Sequence, residues 1–310
     1  MTEQTSTPAP RHAPPVAYLM LLATGIFYGL QLTLTKVATT GGIPPVPLTF
    51  WSALGAGLTL FIINGFRGHY PKIDFLHIRA YLLVGVVGFG APYTLLAYVA
   101  PQIPAGIVAI TLALNPMIVY GLALLIRMEG FRRLRFLGLA LGFAGMMLIV
   151  APEASLPEPG MALWVLICLA GPTCFALAMI GSDLWRPPET DSLALAGGAL
   201  LTGALFCLLI TIVTGDWWFF EGSFDWADAS IPIIAAILVA NWTMFYATIR
   251  VAGAVFYSTV SYAETLCGIA WGYLILSETH SSWVWSALVL LLGGLYLVNR
   301  RLKEATKSGS

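Results

Sequence analysis

The chain has 310 residues, of which 58% are hydrophobic and only 10% are charged. A soluble domain carries about 25% charged residues, so this composition excludes an ordinary water-soluble protein and indicates a helical membrane protein. Fifteen basic and fifteen acidic residues give a formal net charge of zero, and that balance gives no reason to expect a nucleic-acid partner.

Ten apolar runs follow a tail, residues 1–15, whose proline, serine and threonine content predicts disorder. Each run has about the 20 residues that a helix needs to cross the hydrocarbon core of a bilayer. The predicted spans are 16–38, 46–64, 77–98, 103–127, 134–151, 161–182, 193–214, 230–249, 253–276 and 282–299. Clusters of proline and glycine with charged residues separate several of them, and a basic tail, residues 300–310, follows the last span.

The basic residues support this number of spans. Lysine and arginine concentrate in the cytoplasmic loops of membrane proteins. With ten alternating spans, all but one of the fifteen basic residues fall on the side of the N-terminus. The exception is Lys36, near the far end of the first span. We therefore predict a multi-pass protein of the cell inner membrane with both tails in the cytoplasm.

The two halves of the chain resemble each other. When the segment that begins at Asn115 is laid on the segment that begins at Glu264, one ungapped register aligns several residue pairs. It pairs Glu129 with Glu278, Leu125 with Leu274, Gly145 with Gly294, Tyr93 with Trp242 and Thr94 with Thr243. Each half then holds five spans, and an odd number inverts the second half relative to the first. Many secondary transporters have this architecture, with the substrate site near the bilayer midplane.

The fold prediction is an all-α polytopic membrane protein with ten transmembrane helices in two inverted five-helix repeats. The first repeat covers residues 16–151 and the second covers residues 160–299.

Three segments carry a family resemblance: IPPVPLTFWSALGAGLTLF, LNPMIVYGLALLIRMEGFRRLRFLGLALGFAGMMLIV and LCGIAWGYLILSETHSSWVWSALVLLLGGLYLV. They contain the pattern of a mid-helix proline, a later glutamate and a final helix with glycines. With these segments, the chain resembles drug/metabolite transporters of the EamA type over about residues 16–300. The resemblance implies a ten-helix transporter that exports amino acids or related amphiphiles.

The second half departs from the family pattern. Thr265 stands where the proline is usual, and Glu264 precedes it. Members of the family also often carry an arginine early in the second span, where this chain has Trp51 and Ser52. Both departures touch the expected substrate cavity.

Glu264 is the leading candidate for a functional side chain, because it lies near the middle of the ninth predicted span. A charge at that depth costs roughly 3 kcal/mol on insertion scales, so the carboxyl group should face protein or water and not lipid. Two interpretations follow. The group is either a protonated glutamate that bonds a neighbouring helix, or a cavity-lining carboxylate that binds substrate cations, protons or both.

The repeat and the helical period extend the candidate substrate site. Asn115 takes the position of Glu264 in the first half, which suggests one shared central site, with a plain interhelical hydrogen bond as the alternative. With 3.6 residues per turn, Glu264 shares a helix face with Tyr257, Ser261 and Trp271.

Lys36, Tyr93 and Trp242 complete the candidate substrate-binding residues. Lys36 either extends to the membrane interface or contacts a substrate carboxylate in an outer vestibule. If Lys36 and Glu264 both face the cavity, a zwitterionic substrate follows. Tyr93 and Trp242 either pack in the apolar interior or form a cation–π or stacking wall beside Glu264.

Motifs for other functions are missing from the sequence. It has no Walker A motif for ATP, and neither an HExxH nor a GxSxG motif for hydrolysis. Its four cysteines lack the paired spacing of a metal site. Glu129 and Glu278 each precede the last span of a half, which predicts a role at the N-terminus of that helix. We therefore expect no cofactor, no metal and no enzyme activity.

The predicted function is a secondary active transporter that moves a small organic metabolite, an amino acid or a related amine, across the cytoplasmic membrane. Export by alternating access, with coupling to protons or by exchange, is the expected mode. Uptake of a vitamin, nucleoside or cationic metabolite is the alternative, and a membrane-embedded enzyme is a remote one. The expected partners are the metabolite, membrane lipid and protons, and the expected state is a monomer or homodimer.

Overall fold

The computed structural model describes residues 14–151, 155–158, 160–185, 187, 190–220, 225–252, 254–257 and 259–299. Most of the tail 1–15 and all of the tail 300–310 lie outside these residues, as do several of the basic side chains that support the predicted orientation. The predictions for those parts therefore stay predictions.

The described residues form helices and contain no strand. The helices are α1 (Pro15–Thr40), α2 (Pro45–Phe66), α3 (Phe75–Leu82), a π-helical segment (Leu83–Gly90), α4 (Ala91–Val99), α5 (Ala105–Leu112), α6 (Asn115–Leu125), α7 (Arg133–Val150), α8 (Met161–Cys168), α9 (Ala170–Trp185), α10 (Ser192–Thr214), α11 (Trp226–Ala252), α12 (Ala254–Tyr257), α13 (Val260–Leu276) and α14 (Ser282–Asn299). Within this part of the chain, nine spans are long and apolar enough to cross a membrane, and the shorter apolar helix α13 supplies the tenth. The prediction of a polytopic helical membrane protein is confirmed.

Short-range signals set where several helices begin. Proline occupies the first turn of α1 and of α2, where its missing N–H costs no hydrogen bond. Asp191 precedes α10, and its carboxylate accepts hydrogen bonds from the backbone N–H groups of Leu193 and Ala194, both at 3.0 Å. Arg67, at the end of α2, pairs with the same carboxylate at 3.0 Å. Burial opposes ionisation of Asp191, but the hydrogen bonds from Arg67 and the backbone outweigh it and lower the pKa of this carboxyl.

Three spans are divided into consecutive helical segments, and a proline lies near each division. Pro116 follows Asn115 in the first turn of α6, and Pro172 lies in the first turn of α9, so the fourth and sixth spans each contain two helices. Pro92 lies in the first turn of α4, directly after the π-helical segment. A proline lacks the N–H that would bond the carbonyl four residues earlier, which weakens the helix there. The break is not obligatory, because α11 continues through Pro232.

The ninth span has a different construction around Glu264. Thr265 stands at the expected proline position, and its hydroxyl donates to the backbone carbonyl of Ser261 at 2.7 Å. Because no proline interrupts it, α13 is a regular helix through Glu264. Glu264 therefore lies inside a helix, whereas its counterpart Asn115 lies at the start of one.

Helices of the two halves pack in corresponding pairs. α14 lies along α7 and α10 lies along α2, so the last and the second span of each half meet their own counterparts. α13 lies along α1 and, in the corresponding way, α6 lies along α9. This is the arrangement that two inverted halves predict. The α7–α14 contact is close: a Cβ atom at Gly138 would lie 2.6 Å from the carbonyl oxygen of Gly294.

Buried apolar side chains form two main clusters among the described residues. One joins α5, α6, α7 and α14, and the other joins α1, α2, α10 and α11. Tyr93 and Trp242 are half-buried at the edge of the second cluster. The second cluster therefore packs against one part of Tyr93 and of Trp242 and leaves another part of each ring exposed.

The contact between α1 and α13 positions Glu264, and it depends on glycine. A Cβ atom at Gly29 would lie 2.6 Å from the backbone nitrogen of Gly268 and 2.7 Å from the carbonyl carbon of Cys267. Real Cβ atoms do not approach backbone that closely, so any larger residue must push the two helices apart.

We expect Gly29→Ala to destabilise the protein by about 1 to 3 kcal/mol, because the added methyl group overpacks a backbone contact. Gly293→Ala is the matched control, since a Cβ atom at Gly293 has open space around it. That control should hold or slightly raise stability through helix propensity. Thermal unfolding of the detergent-purified variants measures both. Equal midpoints for Gly29→Ala and the wild type would contradict the prediction.

Candidate functional site around Glu264

Glu264 lies where the backbones of α13 and α1 touch. A Cβ atom at Gly25 would lie 2.8 Å from the carbonyl carbon of Ala263 and 3.0 Å from the backbone nitrogen of Glu264. Trp271 lies two turns after Glu264 on α13 and donates its indole N–H to the carbonyl oxygen of Ile26 at 3.0 Å. The glycine contact and this hydrogen bond fix α13, and with it Glu264, against α1.

Three tyrosines from three helices lie near Glu264. Tyr28 of α1, Tyr93 of α4 and Tyr257 of α12 are close enough to Glu264 to interact with it electrostatically. All four side chains are half-buried, so each keeps some open surface. The structure thus brings together Glu264, Tyr93 and Tyr257 from the predicted residues. It adds Tyr28, which lies on the face of α1 that Gly25 and Gly29 hold against α13.

The carboxylate of Glu264 has no compensating partner in the part of the chain that the structure describes. The ion pairs there join Lys36 with Glu278, Arg67 with Asp191, His77 with Asp74, and Arg135 with Glu129. No described residue donates a hydrogen bond to Glu264. The interpretation of Glu264 as a packing residue bonded to a neighbouring helix therefore has no support among these contacts.

Aromatic contacts hold the tyrosine rings. Tyr93 stacks on Phe89 with ring centres 4.4 Å apart and meets Phe175 edge-on at 5.6 Å. Tyr257 meets Phe245 edge-on at 4.7 Å, and Phe245 in turn contacts Trp242 at 6.0 Å. Trp242 is therefore connected to the site through Phe245 and Tyr257, as a supporting residue behind the tyrosine.

Ser261 and Asn115 have different surroundings. Ser261 is half-buried one turn before Glu264 on the same helix. The side-chain amide of Asn115 donates to the sulfur of Met179 on α9 at 3.7 Å, while its oxygen is buried without a partner among the described residues. Since α6 packs on α9 and α13 packs on α1, Asn115 and Glu264 occupy corresponding places in the two halves.

A small, mainly apolar cavity is lined in part by Tyr93. Its polar lining includes Gln31, Thr49 and Ser52. The side-chain oxygens of Gln31 and Ser52 are buried and have no hydrogen-bond partner within the described part of the chain. Ser52 is one of the two residues, with Trp51, near the place where the resemblance implies an arginine, and it gives this cavity a neutral hydroxyl group.

The structure places Lys36 away from Glu264. Its ammonium group pairs with Glu278 at 2.8 Å and donates to the carbonyl oxygen of Ile103 at 2.9 Å. Glu278 also accepts hydrogen bonds from the backbone N–H groups of Ala105 at 2.8 Å and Gly106 at 3.3 Å. The expectation that Glu278 serves the last span is therefore wrong, because its carboxylate caps α5 instead. We leave Lys36 out of the proposed substrate site.

The Lys36–Glu278 pair closes one end of the helix bundle. It joins α1, the start of α5 and the loop after α13, and α5 packs directly against α13. At the opposite end, α6 makes no comparable contact with α12 in the described residues.

His280 lies against Gly106, next to the Lys36–Glu278 pair. Burial, the main cause, and Lys36 lower the pKa of His280 against an opposing effect of Glu278. The imidazole is therefore neutral near neutral pH.

Metal chemistry has no candidate ligands here. No group of three or more histidine, cysteine, aspartate or glutamate side chains comes together among the described residues. Cys168, Cys174, Cys207 and Cys267 are free thiols.

Comparisons with known proteins identify relatives along nearly the whole chain. A sequence model of the EamA-like transporter family matches residues 15–151 and again residues 162–300. Protein PecM of Dickeya dadantii (strain 3937) is 23% identical over 269 residues, covering 85% of this chain and 87% of that protein. The uncharacterized transporter YvbV of Bacillus subtilis (strain 168) is 23% identical over 293 residues and 92% of each chain.

Two further matches are a plant protein and a protein of known crystal structure. A WAT1-related chloroplastic protein of Arabidopsis thaliana is 24% identical over 303 residues, which cover 91% of this chain and 69% of that protein. A protein of known crystal structure, 18% identical, covers 93% of this chain and 98% of its own at a TM-score of 0.56. At that identity the structural match shows the fold alone.

We expect Lys36→Met to cost about 2 to 5 kcal/mol of stability, because it leaves the carboxylate of Glu278 without its counter-charge. The two side chains are only 17% and 8% exposed. A double variant, Lys36→Met with Glu278→Gln, should lose less than the sum of the two single losses, since neither charge remains unpaired.

Arg67→Gln is the control for this ion pair. Arg67 pairs with Asp191 but is 42% exposed, so its loss should cost below about 1 kcal/mol. Thermal unfolding in detergent measures all four proteins. Strictly additive losses for Lys36 and Glu278 would mean that the pair contributes no coupling energy.

Proposed function

The chain belongs to the EamA-like transporter family, and from that premise we propose that it moves a small organic metabolite across the cytoplasmic membrane by alternating access. The metabolite is an amino acid or a related amine, and the direction is export. The family and the names of the relatives point to a transporter and not to an enzyme.

One observation carries the proposal: a carboxylate in the middle of a membrane span has three tyrosines around it and no counter-ion among the described residues. Such a group is costly unless a ligand, a proton or water compensates it. A packing role would leave that cost unexplained. A transport role explains it, because a bound cation or proton compensates the charge during the transport cycle.

The two ends of the bundle support alternating access. The Lys36–Glu278 pair and the α5–α13 contact close one side, whereas α6 and α12 make no contact as extensive as that on the other side among the residues described. In a second state the Lys36–Glu278 pair would open and the opposite ends of α6 and α12 would approach. The break between α5 and α6 near Pro116 and the break between α8 and α9 near Pro172 give each half a position where a span can bend.

Proton coupling follows from the single carboxylate. Glu264 holds either a proton or a cationic ligand, since one negative charge compensates one positive charge. Binding of the ligand on one side therefore releases a proton, and the return of a proton from the other side releases the ligand. Exchange of this kind lets a proton gradient drive export.

The orientation follows from the basic residues. Lys36 lies at the closed end, whereas Arg67, Arg79, Arg135 and Arg250 lie towards the opposite end of their helices. The tendency of basic residues to stay inside therefore favours an inner membrane location with the closed end outside and the termini in the cytoplasm.

We expect Glu264→Gln to lower the initial rate of substrate–proton exchange roughly tenfold or more, because the amide holds neither a proton nor a cation. The measurement uses purified protein in liposomes loaded with a pH-sensitive dye, challenged with a panel of amines and amino acids. The rate that remains should no longer depend on pH.

Glu129→Gln is the matched control. Glu129 lies in the loop before α7, pairs with Arg135 of α7, and is remote from Tyr28, Tyr93 and Tyr257. This variant removes the same charge and should keep both the rate and its pH dependence. Unchanged rates and unchanged pH dependence for Glu264→Gln would rule out the proposed role.

A further inference from the structure

We infer that the Glu264 site takes a monovalent organic cation, an amine or quaternary ammonium group without a carboxylate, in preference to a zwitterionic amino acid. The inference rests on the proposed function and narrows its substrate class. It depends on three features of the described residues: the unpaired carboxylate, the tyrosines around it, and the engagement of the nearby basic side chains elsewhere.

The charge balance around Glu264 is negative in the part of the chain that is described. Lys36 is the basic side chain of α1, and it is bound to Glu278 and to the carbonyl oxygen of Ile103. Arg79 of α3 lies over the ring of Trp185, 5.0 Å from its centre. Both of these side chains are therefore engaged elsewhere, and none of the ion pairs among the described residues involves Glu264.

The aromatic side chains add attraction for a cation. Tyr28, Tyr93 and Tyr257 come from three helices and are close enough to Glu264 to interact with it electrostatically. Ring contacts with Phe89 and Phe245 hold Tyr93 and Tyr257 in place. The face of a tyrosine ring attracts a cation, and more strongly where water is displaced. Their hydroxyl groups can also accept a hydrogen bond from an amine. A quaternary ammonium group, which donates none, would still be attracted by the rings and by Glu264.

A zwitterion meets an obstacle in the same space. Its carboxylate would come close to Glu264 in a medium that screens charge poorly, and like charges repel strongly in such a place. The neutral polar groups nearby compensate little. Gln31 lies beside Tyr93, and the amide of Asn115 is already engaged with Met179. The site therefore discriminates by the second charge of the ligand and not by the amine alone.

Matched probes test this discrimination. Choline and betaine share a quaternary ammonium group, but betaine carries a carboxylate where choline has a hydroxyl. Tyramine and tyrosine form a second pair, and 3,3-dimethylbutan-1-ol is the uncharged analogue of choline. Binding is read as thermal stabilisation of the purified protein, because a ligand that binds the native state raises its stability. A thiol-reactive dye reports unfolding through the buried Cys168 and Cys207.

We expect choline or tyramine to stabilise the protein at concentrations roughly tenfold or more below those at which its carboxylated partner does, and the neutral alcohol to have no effect. Glu264→Gln should remove the difference within each pair, whereas Glu129→Gln should keep it. Tyr257→Leu should weaken choline binding several-fold while Tyr257→Phe retains it, because the ring face and not the hydroxyl attracts the cation.

Three results would overturn the inference: betaine or tyrosine binding as well as its partner, the neutral alcohol binding as well as choline, or neither amine stabilising the protein. The proposed function is judged separately by the exchange assay on the wider panel. If amino acids exchange for protons and Glu264→Gln stops it, the transporter proposal stands and the cation preference fails. If Glu264→Gln changes no exchange at all, both fail.

Discussion

The arrangement of charged side chains within the spans depends on the free-energy cost of an uncompensated charge in hydrocarbon. The chain meets that cost in two opposite ways. Lys36 is neutralised by Glu278, and Glu278 is in turn held by the backbone N–H groups that begin α5. Glu264 is left without an ion pair among the described residues, and only tyrosines approach it. The first charge is thereby paired within the protein, and the second is the one that we propose to bind a ligand.

Glycine makes the site possible, because it lets α1 and α13 touch backbone to backbone. Gly25 and Gly29 bring Tyr28 to the carboxylate, and the hydrogen bond from Trp271 to Ile26 holds the same contact. The site is therefore shared between the first span and the ninth. A movement of α13 relative to α1 would change the environment of Glu264 and the Lys36–Glu278 pair together, and in the proposed transport cycle it would couple ligand binding to closure of one end.

The membrane spans could be predicted because burial in lipid requires long apolar runs, and each predicted run has a helix or pair of helices within it. The position of Glu264 inside a span could also be predicted, since a lone carboxylate stands out in such a run. The pairing of Lys36 with Glu278 could not, because these residues are 242 positions apart and nothing local specifies their contact. Tyr28 could not be singled out for a related reason: it is one of several aromatic residues near the middle of the spans, and only the α1–α13 packing distinguishes it from the others.

The π-helical segment before Pro92 has a consequence for the duplicated sequence. Each residue in a wider turn rotates the following residues less about the helix axis than an α-helical residue does. Tyr93 follows eight residues wound in this way, whereas Trp242 lies in the continuous helix α11. The two aligned aromatic residues have different neighbours, since Tyr93 stacks on Phe89 and Trp242 contacts Phe245. The difference in winding accounts for how positions that align in sequence lie in unlike surroundings.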